Sequence, residues 1–235
     1  MRKYFGIIAF LLSCFCSSGQ VRFSEAEIGL TSRYLWRGTQ LGDAPVVMPS
    51  ATWSANKFSF NAWSAFTFNN SYSEFDLTPT YQFKRFQVSL IDYYLPTPGE
   101  SNDYLNFKKG ESCHSLELSF DNSSVEDAKL KWMLGCFLLG DRNEATGNRF
   151  YSTYLQLSYP FSLGFVDAEP VVGMTPFKGT YADKAAIVNL GVSFSKELSL
   201  SKQFSLPLSA TFCRNPYEGK SFFTISTGIY FSRGE

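Results

Sequence analysis

The residues from Glu74 to Phe83, "EFDLTPTYQF", alternate without a miss. Phe75, Leu77, Pro79, Tyr81 and Phe83 fall on one side; Glu74, Asp76, Thr78, Thr80 and Gln82 fall on the other. A period of two is a β-strand with one apolar and one polar face. The pattern recurs. "KFSFNAWSAFTF" sets Phe58, Phe60, Ala62, Phe66 and Phe68 against Lys57, Ser59, Asn61 and Thr67, with Trp63 the exception. "HSLELSF" sets Leu116, Leu118 and Phe120 against Ser115, Glu117 and Ser119, and "VDAEPVVGM" sets Val166, Ala168, Pro170, Val172 and Met174 against Asp167, Glu169 and Gly173. "YSTYLQLSYPF", "VNLGVSFS" and "FSLPLSATF" behave alike, and the last segment, "FTISTGIYF", carries Phe223, Ile225, Ile229 and Phe231 on one side. Turn signals place about twelve strands, at 24–37, 45–54, 57–68, 74–83, 86–96, 113–122, 130–140, 150–160, 164–175, 186–195, 204–213 and 221–231. Most have the length a tilted strand needs to cross a bilayer. No helical pattern or linker divides them, so the chain reads as one all-β domain.

Alternation alone does not say whether the apolar face meets a protein core or lipid, because a soluble sandwich alternates too. Composition favours lipid. Charged residues make up 18% of the chain, against roughly 25% in ordinary soluble domains, while aromatics reach 17%, with 24 Phe and 13 Tyr. The polar faces are built from Ser, Thr, Asn, Gln and Gly more than from Lys and Glu. Tyr34, Trp36, Tyr94, Tyr151, Tyr159 and Tyr230 sit near strand ends, where an interfacial aromatic girdle belongs. Beyond residue 19 no apolar run reaches the roughly 18 residues of a membrane helix, so a spanning chain must close into a barrel.

The connections agree. Odd-numbered loops such as "GTQLGDA", "TPGESNDYLNFKKGES", "DRNEATGN" and "PFKGTYADKA" are long, while even-numbered ones such as "AN", "KR" and "FSL" are tight, with "KELSLSKQ" the outlier. Long loops at one end and short periplasmic turns at the other mark outer-membrane barrels. An even strand number also returns both termini to the short-turn end. The expected fold is therefore a transmembrane antiparallel up-and-down β-barrel of about twelve strands. The competing reading is a secreted β-sandwich. Pro79, Pro160, Pro170 and Pro207 count in its favour, since each removes a ladder hydrogen bond.

The N-terminus reads as a signal peptide over 1–19, with the barrel over 20–235. Arg2 and Lys3 precede the apolar "YFGIIAFLLSCFC", and Ser17 and Gly19 are the small residues before a cleavage site at Gln20. The rival reading takes "LLSC" as a lipoprotein signal with Cys14 lipidated. Cleavage leaves a slightly acidic chain, with no sign of a nucleic-acid partner. Cys113, Cys136 and Cys213 remain; an odd number is no disulfide framework, although Cys113 and Cys136 fall on strands that pair as a hairpin.

The stretch "LTSRYLWRGTQLGDAPVVMPSATWS", Leu30 to Ser54, resembles the start of the Gcw_chp family of bacterial exported proteins. The shared features are a Ser-x-Tyr-x-x-Arg-Gly turn, here Ser32, Tyr34, Arg37 and Gly38, then Pro45 or Pro49 before the second strand. "FDLTPTYQF" and "FQVSLIDYYLP" resemble the hairpin that follows, and "STGIYF" resembles a barrel assembly signal ending at Phe231. The resemblance implies an outer-membrane barrel of a Gram-negative-type bacterium and no particular activity.

Candidate lumen-lining residues are Arg33, Arg37, Asn61, Glu74, Asp76, Glu117, Asp167, Glu169 and Asn189. Arg33 and Arg37 read as polar-face residues of the first strand, and Glu74, Asp76, Glu117, Asp167 and Glu169 are the expected partners, since enclosed charges need opposite charges. The set is more acidic than basic. Asp92 falls on an apolar face, which calls for a bulge or a position near the interface. The only histidine, His114, suggests a hydrolase if a Ser and an acid converge on it, or a metal ligand with Cys113; adjacent strand residues face opposite ways and chelate poorly. No catalytic signature motif is present, and neither a catalytic residue nor a cofactor or metal is expected. "SNDYLNFKKGES" reads as an external loop, a candidate to fold into the mouth as a constriction. The expected partners are outer-membrane lipids, the barrel assembly machinery and small polar solutes. A twelve-stranded lumen lies between filled eight-stranded barrels and water-filled sixteen-stranded porins, so a narrow passive channel is the first reading. The alternatives are a barrel enzyme acting on outer-membrane lipids and a plugged structural or binding barrel.

Overall fold

The computed structural model describes residues 20–233 except 101, 109–110 and 143–145; the signal segment and Cys14 lie outside the described residues. Fifteen strand segments follow in order: β1 (Arg22–Thr31), β2 (Tyr34–Trp36), β3 (Thr39–Leu41), β4 (Val46–Ala55), β5 (Phe58–Thr67), β6 (Ser73–Gln82), β7 (Gln87–Tyr94), β8 (His114–Asp121), β9 (Lys131–Leu139), β10 (Thr153–Ser158), β11 (Phe161–Ser162), β12 (Asp167–Thr175), β13 (Ala186–Ser199), β14 (Phe204–Asn215) and β15 (Lys220–Ser232).

Every long strand pairs antiparallel with its chain neighbour. The ring closes where β1 bonds to β15, with Ile28 opposite Ile229 and Gly29 opposite Gly228. β10 and β11 are two halves of one wall strand, because both pair with β12 in a single register: Leu157 faces Val172 and Phe161 faces Ala168. The break falls at Pro160, which has no N–H to give. Counting them together, the wall is a closed barrel of twelve antiparallel strands. β2 and β3 pair only with each other and stand outside the wall.

Burial identifies the faces. On β1, Ile28 is 61% exposed while Thr31 is buried; on β15, Phe223 is 61% exposed while Thr224 is buried. The "EFDLTPTYQF" strand behaves as its alternation requires: Leu77 pairs with outward Ala62, and Asp76 pairs with Trp63, whose ring lies 5.5 Å from Tyr34 inside the barrel. Trp63, the exception in its strand, is thus a lumen residue. The aromatic girdle needs correction. Tyr159 is outward and exposed, but Tyr34 and Trp36 are inside, and Tyr230 pairs with inward Glu27.

The loops separate by length as expected, and the outlier disappears. β13 runs on to Ser199 and β14 starts at Phe204, so the first half of "KELSLSKQ" is strand and only its last four residues form the turn. Two expectations fail. The first strand was read as 24–37; it ends at Thr31, and the chain then turns into the β2–β3 hairpin. Among the described residues of the long loop, Tyr104 lies over the outward face and not in the mouth, packing against Phe75 at 6.0 Å and Tyr94 at 4.9 Å. Asp92 needs no bulge: it pairs with Leu77 and Leu116 in regular register, two residues from the end of β7. Cys113, Cys136 and Cys213 are all free thiols.

A charge placed on the outward face tests this assignment. Ile28→Arg is expected to destabilise the barrel by about 2–4 kcal/mol if Ile28 lies near the midplane, measured by denaturant unfolding from lipid vesicles. Thr211→Lys, on the lumen side of β14, is expected to cost far less.

Candidate functional site

The lumen is organised by the β2–β3 hairpin. Leu35 faces Gln40 and Trp36 faces Thr39, with Arg37 and Gly38 as the two turn residues. Both have positive φ, 49° at Arg37 and 84° at Gly38, the backbone of a two-residue primed turn. Gly38 is obligatory for a second reason: a Cβ there would stand 1.9 Å from the Val188 carbonyl oxygen of β13. The hairpin therefore leaves β1, enters the lumen and rests its tip against β13, three strands away around the ring.

Arg37 holds the tip in place. Its guanidinium donates in bidentate fashion to Glu117 of β8, Nη1 to Oε2 and Nη2 to Oε1, both at 2.6 Å, and Nη1 also donates to the Tyr181 hydroxyl. The side chains of Arg37 and Glu117 are 6% and 0% exposed. An ion pair so dry holds only with good geometry and satisfied hydrogen bonds, and the surroundings supply both. The Arg37 Cζ lies 4.6 Å from the Trp36 ring centroid and 4.8 Å from that of Tyr154, a desolvated cation–π arrangement. Trp36 also meets Tyr93, Phe137 and Tyr181 at 5.7 to 6.3 Å. Gly135 on β9 leaves the room, since a Cβ there would fall 2.6 Å from Glu117 Oε1 and 3.0 Å from Arg37 Nη2.

At the hairpin's base, Tyr34 packs against Trp63 and Tyr72, and Tyr72 donates to Glu74 at 2.8 Å. Asp76 is buried beside them, and its Oδ1 has no hydrogen-bond partner. The hairpin's exit is tied to the β5–β6 loop: Asn69 donates to Asp43 at 2.6 Å, and this bond, with one to Ser71, holds the Asp43 carboxyl below its ordinary range.

The filled half of the lumen thus spans β5 to β10. The other half, walled by β10 to β15 and β1, keeps a cavity of about 420 Å³. Thr31, Gln156, Ser193, Thr211, Thr224 and Ser226 line it, with Arg33, Glu169 and Asn189. Asn189 donates to the Tyr154 hydroxyl at 3.0 Å and accepts from Cys213.

The expected lumen residues therefore part company. Arg37 and Glu117 come together as a pair, although Arg37 sits on an inserted hairpin and not on the first strand. Glu74 and Asp76 pair with no cation among the described residues. Arg33, in the β1–β2 connection, donates at 2.8 Å to the Ser32 carbonyl and makes no ion pair there either. Asn61 donates to Thr52 on the neighbouring strand at 2.9 Å. Asp167 and Glu169 face inward and stay exposed. The aromatic clamp of Trp36, Tyr93, Phe137, Tyr154 and Tyr181 was not anticipated, nor was Gly135; the alternation of Tyr93 and Phe137 signals only a face.

His114 opens β8 on the outward side. Its Nδ1 lies 2.9 Å from Asp92 Oδ1 and its Nε2 lies 2.8 Å from the Tyr104 carbonyl. Both ring nitrogens are thus engaged, one with the Asp92 carboxylate and one with a backbone carbonyl. Phe107 stacks on it at 4.5 Å. No nitrogen is left to take a proton from a nucleophile. His114 instead fastens Tyr104 and Phe107 of the long loop to the wall.

No protein-family model matches the chain, and no curated protein matches it. Solved structures do. The KdgM porin superposes with a TM-score of 0.51 at 11% identity, over 89% of this chain and 99% of that one. An outer membrane channel from Pseudomonas putida gives 0.41 at 8% identity, over 90% and 96%. The likeness to the KdgM porin shows a shared barrel fold.

The clasp gives a direct test. Glu117→Gln leaves Arg37 buried without a counter-charge and is expected to cost about 3–5 kcal/mol, seen as lost hydrogen-exchange protection in residues 34–41. Replacing both partners, Arg37→Met with Glu117→Leu, is expected to restore most of that stability.

Proposed function

We propose that this protein resides in a bacterial outer membrane and gives small polar solutes a narrow passive route through the half of its lumen that the hairpin leaves empty. The observation that carries this reading is the cavity of about 420 Å³ with its hydroxyl and amide lining. Toward the short-turn end, Asp167, Glu169 and Ser195 face the lumen and are exposed to solvent, which supports a wetted interior. The porin-like barrel supports the location and leaves the solute open. Outer-membrane lipids would cover the outward Phe, Ile and Leu side chains, and the barrel assembly machinery would insert the chain. The Gcw_chp resemblance accords with this reading. A lipid hydrolase built on His114 would need Nε2 free, and Tyr104 occupies it.

Swelling of proteoliposomes across a series of sugar sizes tests the passage. Monosaccharides are expected to enter and larger oligosaccharides to be excluded, with Ser193→Trp returning the rate to that of protein-free vesicles. Protein-free rates for the smallest sugar in the unmodified protein would instead make the barrel a plugged scaffold.

Selectivity gives a second test. Glu25 and Glu27 on β1 face inward by register, as do Asp167 and Glu169 on β12, all toward the short-turn end. Planar-bilayer reversal potentials under a salt gradient are expected to show a mild preference for cations, and an anion preference would contradict it.

A further inference from the structure

Three charged side chains reach the cavity, and only one is neutralised. Arg37 is committed to Glu117. Arg33 stands just past the end of β1, at the long-loop end, and bonds only its neighbour's carbonyl among the described contacts. Asp43, hydrogen-bonded by Asn69 and Ser71, feels the Arg33 charge but lies beyond ion-pair distance of it among the described contacts, so the Arg33 guanidinium keeps its other donors free. Glu169 is on β12, two residues from its short-turn end, where it accepts a hydrogen bond from the Ser158 hydroxyl and makes no ion pair among the described residues. One cavity therefore carries an unspent positive group at one end and an unspent negative group at the other.

Between them the wall is uncharged: Gln156, Ser193, Thr211, Thr224 and Ser226 offer hydrogen bonds and no net field. Arg33 at the long-loop end and Glu169 at the other, with Glu25, Glu27 and Asp167 adding negative charge toward the short-turn end, set a field along the barrel axis. A neutral solute gains nothing from it, and a simple ion is attracted at one end and repelled at the other. A solute that carries both a carboxylate and an ammonium group meets a complementary charge at each end.

We infer that this cavity is a binding site for small zwitterions of the free amino acid class, with the carboxylate toward Arg33 and the ammonium toward Glu169. The opposite end charges orient such a solute along the axis, a charge-assisted hydrogen bond at one end holds it, and the hydroxyl wall accepts its remaining polar groups. The inference names the solute class for the passage proposed above, and binding itself does not require that the passage be open.

Saturation-transfer NMR on the purified protein in detergent separates the two. β-Alanine, erythritol, propionate and propylammonium serve as zwitterionic, neutral, anionic and cationic probes of similar size. β-Alanine is expected to bind about tenfold more tightly than each of the others, the scale of one added charge-assisted hydrogen bond. Arg33→Gln and Glu169→Gln are each expected to erase that preference, and neither touches the Arg37 clasp. Equal binding of erythritol and β-alanine, or a preference unchanged in both variants, overturns the inference. β-Alanine binding without vesicle swelling upholds the site and refutes the passage.

Discussion

Hydrocarbon offers no hydrogen bonds, and the architecture follows from that single deprivation. Each wall strand must find partners for its N–H and C=O groups on both sides, so the sheet has no stable form until its two edges meet. Here they meet through Glu25 to Thr31 of β1 against Ser226 to Ser232 of β15. The ladder tolerates small defects. It skips pairs around Pro79 and Pro207 and breaks at Pro160, and each of these costs one bond where the neighbouring pairs hold the register.

Closure creates a second problem, since a ring of this width has more interior than its own side chains fill. The chain solves it on one side only. The hairpin spends its aromatic residues and one arginine on β5 to β10 and leaves the opposite wall lined with hydroxyls. Desolvating Arg37 and Glu117 is tolerable because five aromatic rings, a bidentate geometry and the Tyr181 hydroxyl surround them. A glycine at 135 makes that possible, and a glycine at 38 brings the tip flush against β13.

Most of the wall was legible in the sequence because period two is a property of each strand by itself. "EFDLTPTYQF" shows both faces, and loop lengths show both ends. Trp63, apolar on a polar face, was the one local hint that the interior is packed. The hairpin was not legible. Tyr34 to Trp36 continues the extended pattern of β1, and alternation cannot tell a wall strand from one that has turned inward. The Arg37–Gly38 turn marks a bend without saying which way it folds. The partnership of Arg37 with Glu117 was within reach, since an enclosed cation needs an acid, yet choosing among five acids required the register. The partners of His114 were hidden for the same reason: Asp92 lies 22 positions away and Tyr104 in a long loop, and their convergence is tertiary.

The order of these contacts along the chain has a consequence for biogenesis. Arg37 is made early, but its clasp waits for Glu117, 80 residues later, and for Tyr181, 144 residues later, while Gly38 needs β13. The plug therefore cannot lock during synthesis or in a half-curled sheet; it engages only after the ring has bent far enough to bring its distant side within reach. The contacts of Arg37 with Glu117 and Tyr181 and of Gly38 with β13 thus belong to the closed ring and to no local part of the chain.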